Sequence, residues 1–105
     1  MKVCKFGGSS VADAAQIIKI CDIIASDDER RIVVVSAPGK RHDDDTKVTD
    51  LLIACAEARL AGMEAVNETT AVVERFDKII REMGIPGEIA TEIETALKDT
   101  IGADT

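Results

Sequence analysis

The sequence predicts an α/β fold that opens with a βαβ unit of two parallel strands and continues as three further helices. Three observations predict it. A short strand candidate, Lys2 to Phe6, runs directly into Gly7-Gly8-Ser9-Ser10. Ile17, Ile20, Cys21 and Ile24 then fall at i, i+3, i+4 and i+7, which is one helical stripe. Ile32-Val33-Val34-Val35 is a continuous β-branched run, as expected of a strand buried on both faces of a parallel sheet. Strand, helix and strand within about 35 residues make a crossover that should be right-handed.

Each element has local support. Asp13 is the expected N-cap of the first helix, with Gln16 as its capping-box partner. Ser26-Asp27-Asp28-Glu29 stops that helix. A loop from Ser36 to about Thr46 carries Pro38-Gly39 and the acidic run Asp43-Asp44-Asp45. Val48, Leu51, Leu52, Cys55 and Leu60 line a helix that Gly62 ends. Val66, Val72, Val73, Phe76, Ile79, Ile80 and Met83 line a longer one that Gly84 ends, and its stripe reads as core. Pro86 suits the first turn of a last helix bearing Ile89, Ile93, Leu97 and Ile101, with Gly102 as its stop. A two-stranded parallel sheet is an odd place for a fold to stop. The expectation is therefore the beginning of an α/β domain rather than a whole one.

Composition narrows the function. The 105 residues hold 13 Lys plus Arg against 20 Asp plus Glu, a net charge of −7. Such a chain has no electrostatic footprint for nucleic acid or for an anionic membrane surface. Phe6 and Phe76 are its only aromatics, so base-stacking platforms are absent as well. No apolar run has the length of a membrane span or a signal peptide. Cys4, Cys21 and Cys55 are odd in number, lack CxxC spacing and sit in apolar segments. They read as buried free thiols in a reducing cytoplasm.

The chemistry concentrates in Lys5-Phe6-Gly7-Gly8-Ser9-Ser10-Val11-Ala12-Asp13. Glycines let a backbone lie close to a ligand. Amide groups at a helix N-terminus attract phosphate. Lys5, at the same end of the strand, is placed to reach a transferring phosphoryl group, as phosphoryl transfer by charge neutralisation requires. The competing reading is a tight turn with a solvated lysine. Other segments are weaker. Gly39-Lys40 lacks the earlier glycine of a P-loop, and Arg41 stands in place of Ser or Thr. His42 with Asp43-Asp44-Asp45 is a solvated loop before it is a metal site. His42 is the sole histidine, which excludes a His-based triad or an HExxH site. Asn67-Glu68-Thr69 matches a glycosylation sequon but falls in an expected helix.

The string from Lys5 to Asp13 resembles the opening signature of the aspartokinases, within the amino-acid kinase family. Val33-Val34-Val35-Ser36-Ala37 is similar to their second strand and the Ser-Ala that ends it. Val48-Thr49-Asp50-Leu51-Leu52 is similar to the Thr-Asp/Asn-Leu-Leu that opens their next helix. The specific motifs run from Lys2 to about Ala61. The related acetylglutamate, glutamate and uridylate kinases share the lysine and glycines but not the whole string.

The resemblance implies an amino-acid-kinase-type three-layer fold, truncated here, with residues 1–105 as an incomplete N-terminal part of a catalytic domain and no regulatory ACT domain. It implies transfer of the γ-phosphoryl of ATP, with Mg2+, to the side-chain carboxylate of L-aspartate, giving 4-phospho-L-aspartate in a cytoplasmic biosynthetic enzyme. Lys5 then matches the lysine that neutralises the phosphoryl group, Gly7 and Gly8 the glycines against the phosphates, and Ser10 a neighbour at the mouth of the first helix. Ser36, Ala37 and Thr49 match positions close to aspartate. No metal ligand is expected in this segment, since magnesium is held by the nucleotide and by acidic residues elsewhere. The insert Gly39-Lys40-Arg41-His42-Asp43-Asp44-Asp45 departs from the family pattern. The chain alone is expected to be inactive. Another amino-acid kinase, or a non-catalytic helical interaction module, is the alternative. Unpaired edges at Val3–Phe6 and Ile32–Val35, with the stripes of Phe76 and Ile93, predict a homo-oligomer, most simply a dimer.

Overall fold

The structure, a computed structural model, describes the backbone of residues 1–103 and the side chains of residues 1–99. Strand β1 spans Lys2–Phe6, and a 3-10 turn, Gly8–Val11, follows it. Helix α1 spans Ala14–Ala25, strand β2 Arg30–Val35, α2 Val48–Leu60, α3 Val66–Glu82 and α4 Glu88–Ala103. The chain divides into two compact units, Met1–Thr49 and Asp50–Thr105.

In the first unit β1 and β2 pair in parallel, with Val3 opposite Ile32, Lys5 opposite Val34 and Phe6 opposite Val35. The register slips between Lys2, which faces Arg30, and Val3. Lys2 fastens this end: its N–H donates to Glu29 O at 2.6 Å, and its Nζ to Asp27 Oδ2 at 2.6 Å. That ammonium, helped by the Glu29 N–H, holds the Asp27 carboxyl below the usual carboxylate range. α1 begins as expected, with Asp13 Oδ1 accepting the Gln16 N–H at 3.0 Å. It ends at Ser26, where the Arg30 guanidinium reaches back to Ile23 O and to Ser26 Oγ.

Two expectations about burial fail. β2 is not buried: Ile32, Val33, Val34 and Val35 are 45, 40, 47 and 56% exposed. Burial on both faces needs layers on both sides, whereas β2 pairs with β1 and packs against α1. Nor are all three thiols buried. Cys55 is, but Cys4 is half-buried and Cys21 exposed. The α1 stripe centres on Ile20, and Cys21 lies at its rim.

The second unit has its own core, in which α3 packs on α4. Cys55, Ala65, Val72, Ile79 and Ile80 are buried, together with Thr69 and Arg75. Phe76, Val73 and Met83 are half-buried, whereas Val66, Leu52 and Leu60 face outward. Gly62 and Gly84 take φ of +84° and +70°, the left-handed stops that glycine supplies at helix ends. Ala65 is also left-handed, at φ 58°, and is the N-cap of α3. Pro86 lies two residues ahead of α4, where its carbonyl accepts the Ile89 N–H at 3.3 Å. α4 runs through Gly102 instead of stopping there, and the side chain of Ile101 lies outside the described residues. Among the described residues no helix is long and apolar enough to cross a membrane.

Candidate functional site

Parallel pairing brings the carboxyl ends of β1 and β2 to one edge of the sheet. In open α/β folds this edge is where ligands bind. The ladder continues one step beyond the strands, as Ser36 N–H donates to Phe6 O at 3.1 Å. Gly7 thereby lies beside Ser36. The two segments that leave the sheet, Gly7–Ser10 and Ser36–Gly39, then meet backbone to backbone. Gly39 N–H donates to Gly8 O at 2.8 Å. A Cβ on Gly39 would sit 2.8 Å from Gly8 C, and one on Gly8 would sit 3.1 Å from Ala37 O. Both glycines are therefore dictated by the chain's own packing.

Gly7 differs. Its φ of −75° is open to any residue, and a Cβ there would meet nothing within 4 Å. Neither conformation nor internal packing asks for glycine. What remains is space above the backbone at the end of β1, two residues beyond Lys5. Lys5 is exposed on β1 and makes no ion pair among the described residues.

The segment after the glycines departs from expectation. The 3-10 turn, closed by Ser10 N–H to Gly7 O at 3.1 Å, separates Gly7-Gly8 from α1. The first turn of α1 is already capped by its own Asp13 carboxylate. The glycines therefore do not open directly into the N-terminus of a long helix. Ser10, half-buried, sits within the turn.

The remaining predicted residues follow from the loop. Ser36 and Ala37 are exposed, while Pro38 and Gly39 are buried. Val48 N–H donates to Pro38 O at 2.9 Å, and Val48 itself is 1% exposed. This bond ties the start of α2, and Thr49 with it, to the segment that carries Ser36 and Ala37. Thr49 is exposed beside the buried Val48. All seven predicted positions thus lie in the first unit. Sequence reasoning missed Gly39, because Pro38-Gly39 reads as an ordinary turn signal.

The basic-acidic insert folds onto itself. Arg41 Nε and Nη2 donate to Asp45 Oδ2 and Oδ1 at 2.6 and 2.9 Å, and Arg41 N–H donates to Oδ2 at 2.9 Å. His42, Asp43 and Asp44 are exposed. Among the described residues no three His, Cys, Asp or Glu side chains gather to hold a metal. The second unit has a cavity of about 470 Å³ lined by Arg59, Thr69, Thr70, Glu74, Glu94 and Lys98 among others, with no predicted site residue in its wall. Glu94 and Lys98 are paired there at 2.8 Å. In the same unit burial pushes the Cys55 thiol up, against a hydrogen bond with the Thr69 side chain that lowers it.

Known proteins are similar to this chain in sequence and in fold. Residues 1–100 match the sequence model of the amino acid kinase family. Aspartokinase 3 of Bacillus subtilis (strain 168) is 50% identical over 104 residues, which is 99% of this chain and 23% of that protein. Lysine-sensitive aspartokinase 3 of Escherichia coli (strain K12) is 35% identical over 97 residues, 92% of this chain and 20% of that protein. The crystal structure of Clostridium acetobutylicum aspartate kinase superimposes with a TM-score of 0.90 at 37% identity, covering 98% of this chain and 24% of that one. E. coli aspartokinase III, in complex with lysine and aspartate, gives 0.71 at 34% identity, covering 94% of this chain and 20% of that one. This chain therefore spans about a quarter or less of the length of these relatives. Its two parallel strands and four helices form a small part of a larger fold, as expected from the short sheet. By sequence along nearly all its length, and by fold, the chain belongs to the amino acid kinase family, and the relatives it resembles there are aspartokinases.

Proposed function

We propose that residues 1–105 are part of an aspartokinase catalytic domain, carrying the phosphoryl-facing edge and one wall of the acceptor site. The reaction is attack by the side-chain carboxylate oxygen of L-aspartate on the γ-phosphorus of ATP. The bond from that phosphorus to the β,γ-bridging oxygen breaks, and ADP leaves with 4-phospho-L-aspartate as the product. Lys5 neutralises charge on the transferring group. The backbone at Gly7 and Gly8 lies against the phosphates, with Ser10 beside it. Ser36, Ala37 and Thr49 face the amino-acid acceptor. Mg2+ bound with the nucleotide would add charge neutralisation on the phosphates beside that of Lys5. The enzyme works in the cytoplasm as a homo-oligomer. The segment alone is inactive in this reading, since it spans about a quarter or less of the length of its aspartokinase relatives.

The observation that carries this reading is Gly7, a glycine that neither its own backbone angles nor its neighbours require, opening space two residues from an exposed lysine. A ligand that needs backbone contact and a positive charge accounts for both. The test is steady-state kinetics of the intact protein. Lys5→Met should lower kcat at least about a hundredfold while moving the aspartate KM far less, because the charge acts mainly in the transition state. A variant that keeps most of its kcat removes Lys5 from the reaction.

A further inference from the structure

The loop between the two acceptor-side segments carries the one ion pair of the first unit whose carboxylate takes two guanidinium bonds and a backbone N–H from the same residue. We propose that Arg41 and Asp45 form a positioning clip that holds closed the loop joining Ser36–Ala37 to Thr49, reinforcing the separation that the Val48–Pro38 bond sets, and so tunes how the amino-acid acceptor is held. This rests on the acceptor reading of Ser36, Ala37 and Thr49.

The chain leaves the sheet at Ser36 and is pinned at Gly39 by the bond to Gly8 O. It returns at Val48, pinned by the bond to Pro38 O. Between these pins the segment is polar and outward-facing, with Lys40, His42, Asp43, Asp44, Thr46 and Lys47 exposed. Such a segment has no apolar burial to hold it, and an open loop resists closure through its conformational entropy. The clip shortens the free length. Arg41 and Asp45 are bound side chain to side chain, and Asp45 N–H donates to His42 O at 3.1 Å, so the span from 41 to 45 is a closed ring. The Asp45 carboxylate is the less exposed partner, its side chain 10% exposed against 31% for Arg41. Asp45 raises the pKa of the Arg41 guanidinium, and Asp13 adds to that, so the clip also feels the carboxylate that caps α1, just beyond the glycine turn. A planar fork matched to both carboxylate oxygens fixes an orientation that a single ammonium cannot.

The test uses the intact protein, with hydrogen exchange at the two pins and aspartate kinetics read together. Arg41→Ala should speed exchange at the Gly39 and Val48 amides about tenfold and leave the β1–β2 ladder amides unchanged. It should raise the aspartate KM about fivefold or more, with kcat and the ATP KM changed less than about twofold. Arg41→Lys, which keeps the charge and loses the fork, should behave like Arg41→Ala. The exchanged pair Arg41→Asp with Asp45→Arg should restore much of the lost affinity, which a merely stabilising contact at another place would not do. Thr49→Val separates this inference from the reading beneath it. A raised aspartate KM in Thr49→Val beside an unchanged one in Arg41→Ala overturns the clip alone. An unchanged KM in Thr49→Val overturns the acceptor reading itself. Unchanged exchange at Gly39 and Val48 in Arg41→Ala also overturns the clip.

Discussion

The two units both bury apolar side chains, Val11, Ala12, Ala14, Ile20 and Val48 in the first, but they differ in what they leave open. In the second, Val72, Ile79 and Ile80 on α3 are buried within the unit, and Cys55 is fully enclosed. In the first, the most apolar segment, Ile32–Val35, stands open to solvent, while Pro38 and Gly39 in a loop are buried. At the end of the sheet backbone packs against backbone, between Gly8 and Gly39. A helical unit can close its own stripe, because i, i+3 and i+4 neighbours deliver one face to one partner. A strand presents two faces and two edges, and one helix and one strand cannot cover them all. What the first unit packs closely, backbone on backbone, is the end of its sheet, the edge at which the phosphoryl site is proposed.

The sharpest test of this contrast is at the glycines. Gly39→Ala forces a Cβ to within 2.8 Å of backbone and should cost about 3 kcal/mol, with the loss read from chemical denaturation. Gly7→Ala should leave stability unchanged or slightly raised, since it meets nothing and loses unfolded-state freedom. Equal losses at the two positions would erase the distinction drawn between packing and ligand space. Next in size is a pair of valines. Val72→Ala should cost about 2 kcal/mol through the cavity it leaves. Val34→Ala, at a half-open strand position, should cost well under half as much in the chain alone. Comparable losses would mean that β2 is covered, as in an oligomer. Asp13→Ala removes the cap of α1 and should cost about 1 kcal/mol.

The smallest effects are those of the thiols. A soluble disulfide reagent should modify Cys21 first, Cys4 more slowly and Cys55 last, in step with exposure. Cys55 also has a pH signature. Its folded-state pKa is raised by burial, so the unfolded chain gives up that proton first as pH rises through the thiol range. Stability from this group is present below that range and declines above it. Cys55→Ser, compared at pH 7 and pH 10, should lessen the decline. An identical pH slope in the variant would show that Cys55 does not titrate with unfolding.

Much of this was legible in the sequence where local rules act. The bounds of β1, the Asp13 cap, and the left-handed stops at Gly62 and Gly84 follow from periodicity and from what glycine permits. The order of two parallel strands and four helices followed as well. What was not legible depends on partners distant in sequence. The exposure of β2 and Cys21 could not be read from their apolar neighbours, because burial is decided by what lies opposite. Gly39 carries no periodic mark, since its role is to let another backbone come near. The 3-10 turn at Gly8–Val11 hides in a string whose hydroxyls and glycines suit either a loop or a helix start. Arg41 and Asp45 looked like one charge run with their neighbours until the loop closed them on each other.

The open face of β2 also bears on how the chain survives its own synthesis. A continuous run of β-branched residues with free hydrogen-bonding groups on one edge is the kind of segment that seeds aggregation. Asp27, Asp28, Glu29, Arg30 and Arg31 stand immediately ahead of it. Charged residues flanking such a run hinder stacking of one copy on another, through repulsion and the cost of desolvating them. The residues that end α1 and anchor Lys2 therefore also act as gatekeepers, keeping β2 available for its proper neighbours while disfavouring improper ones.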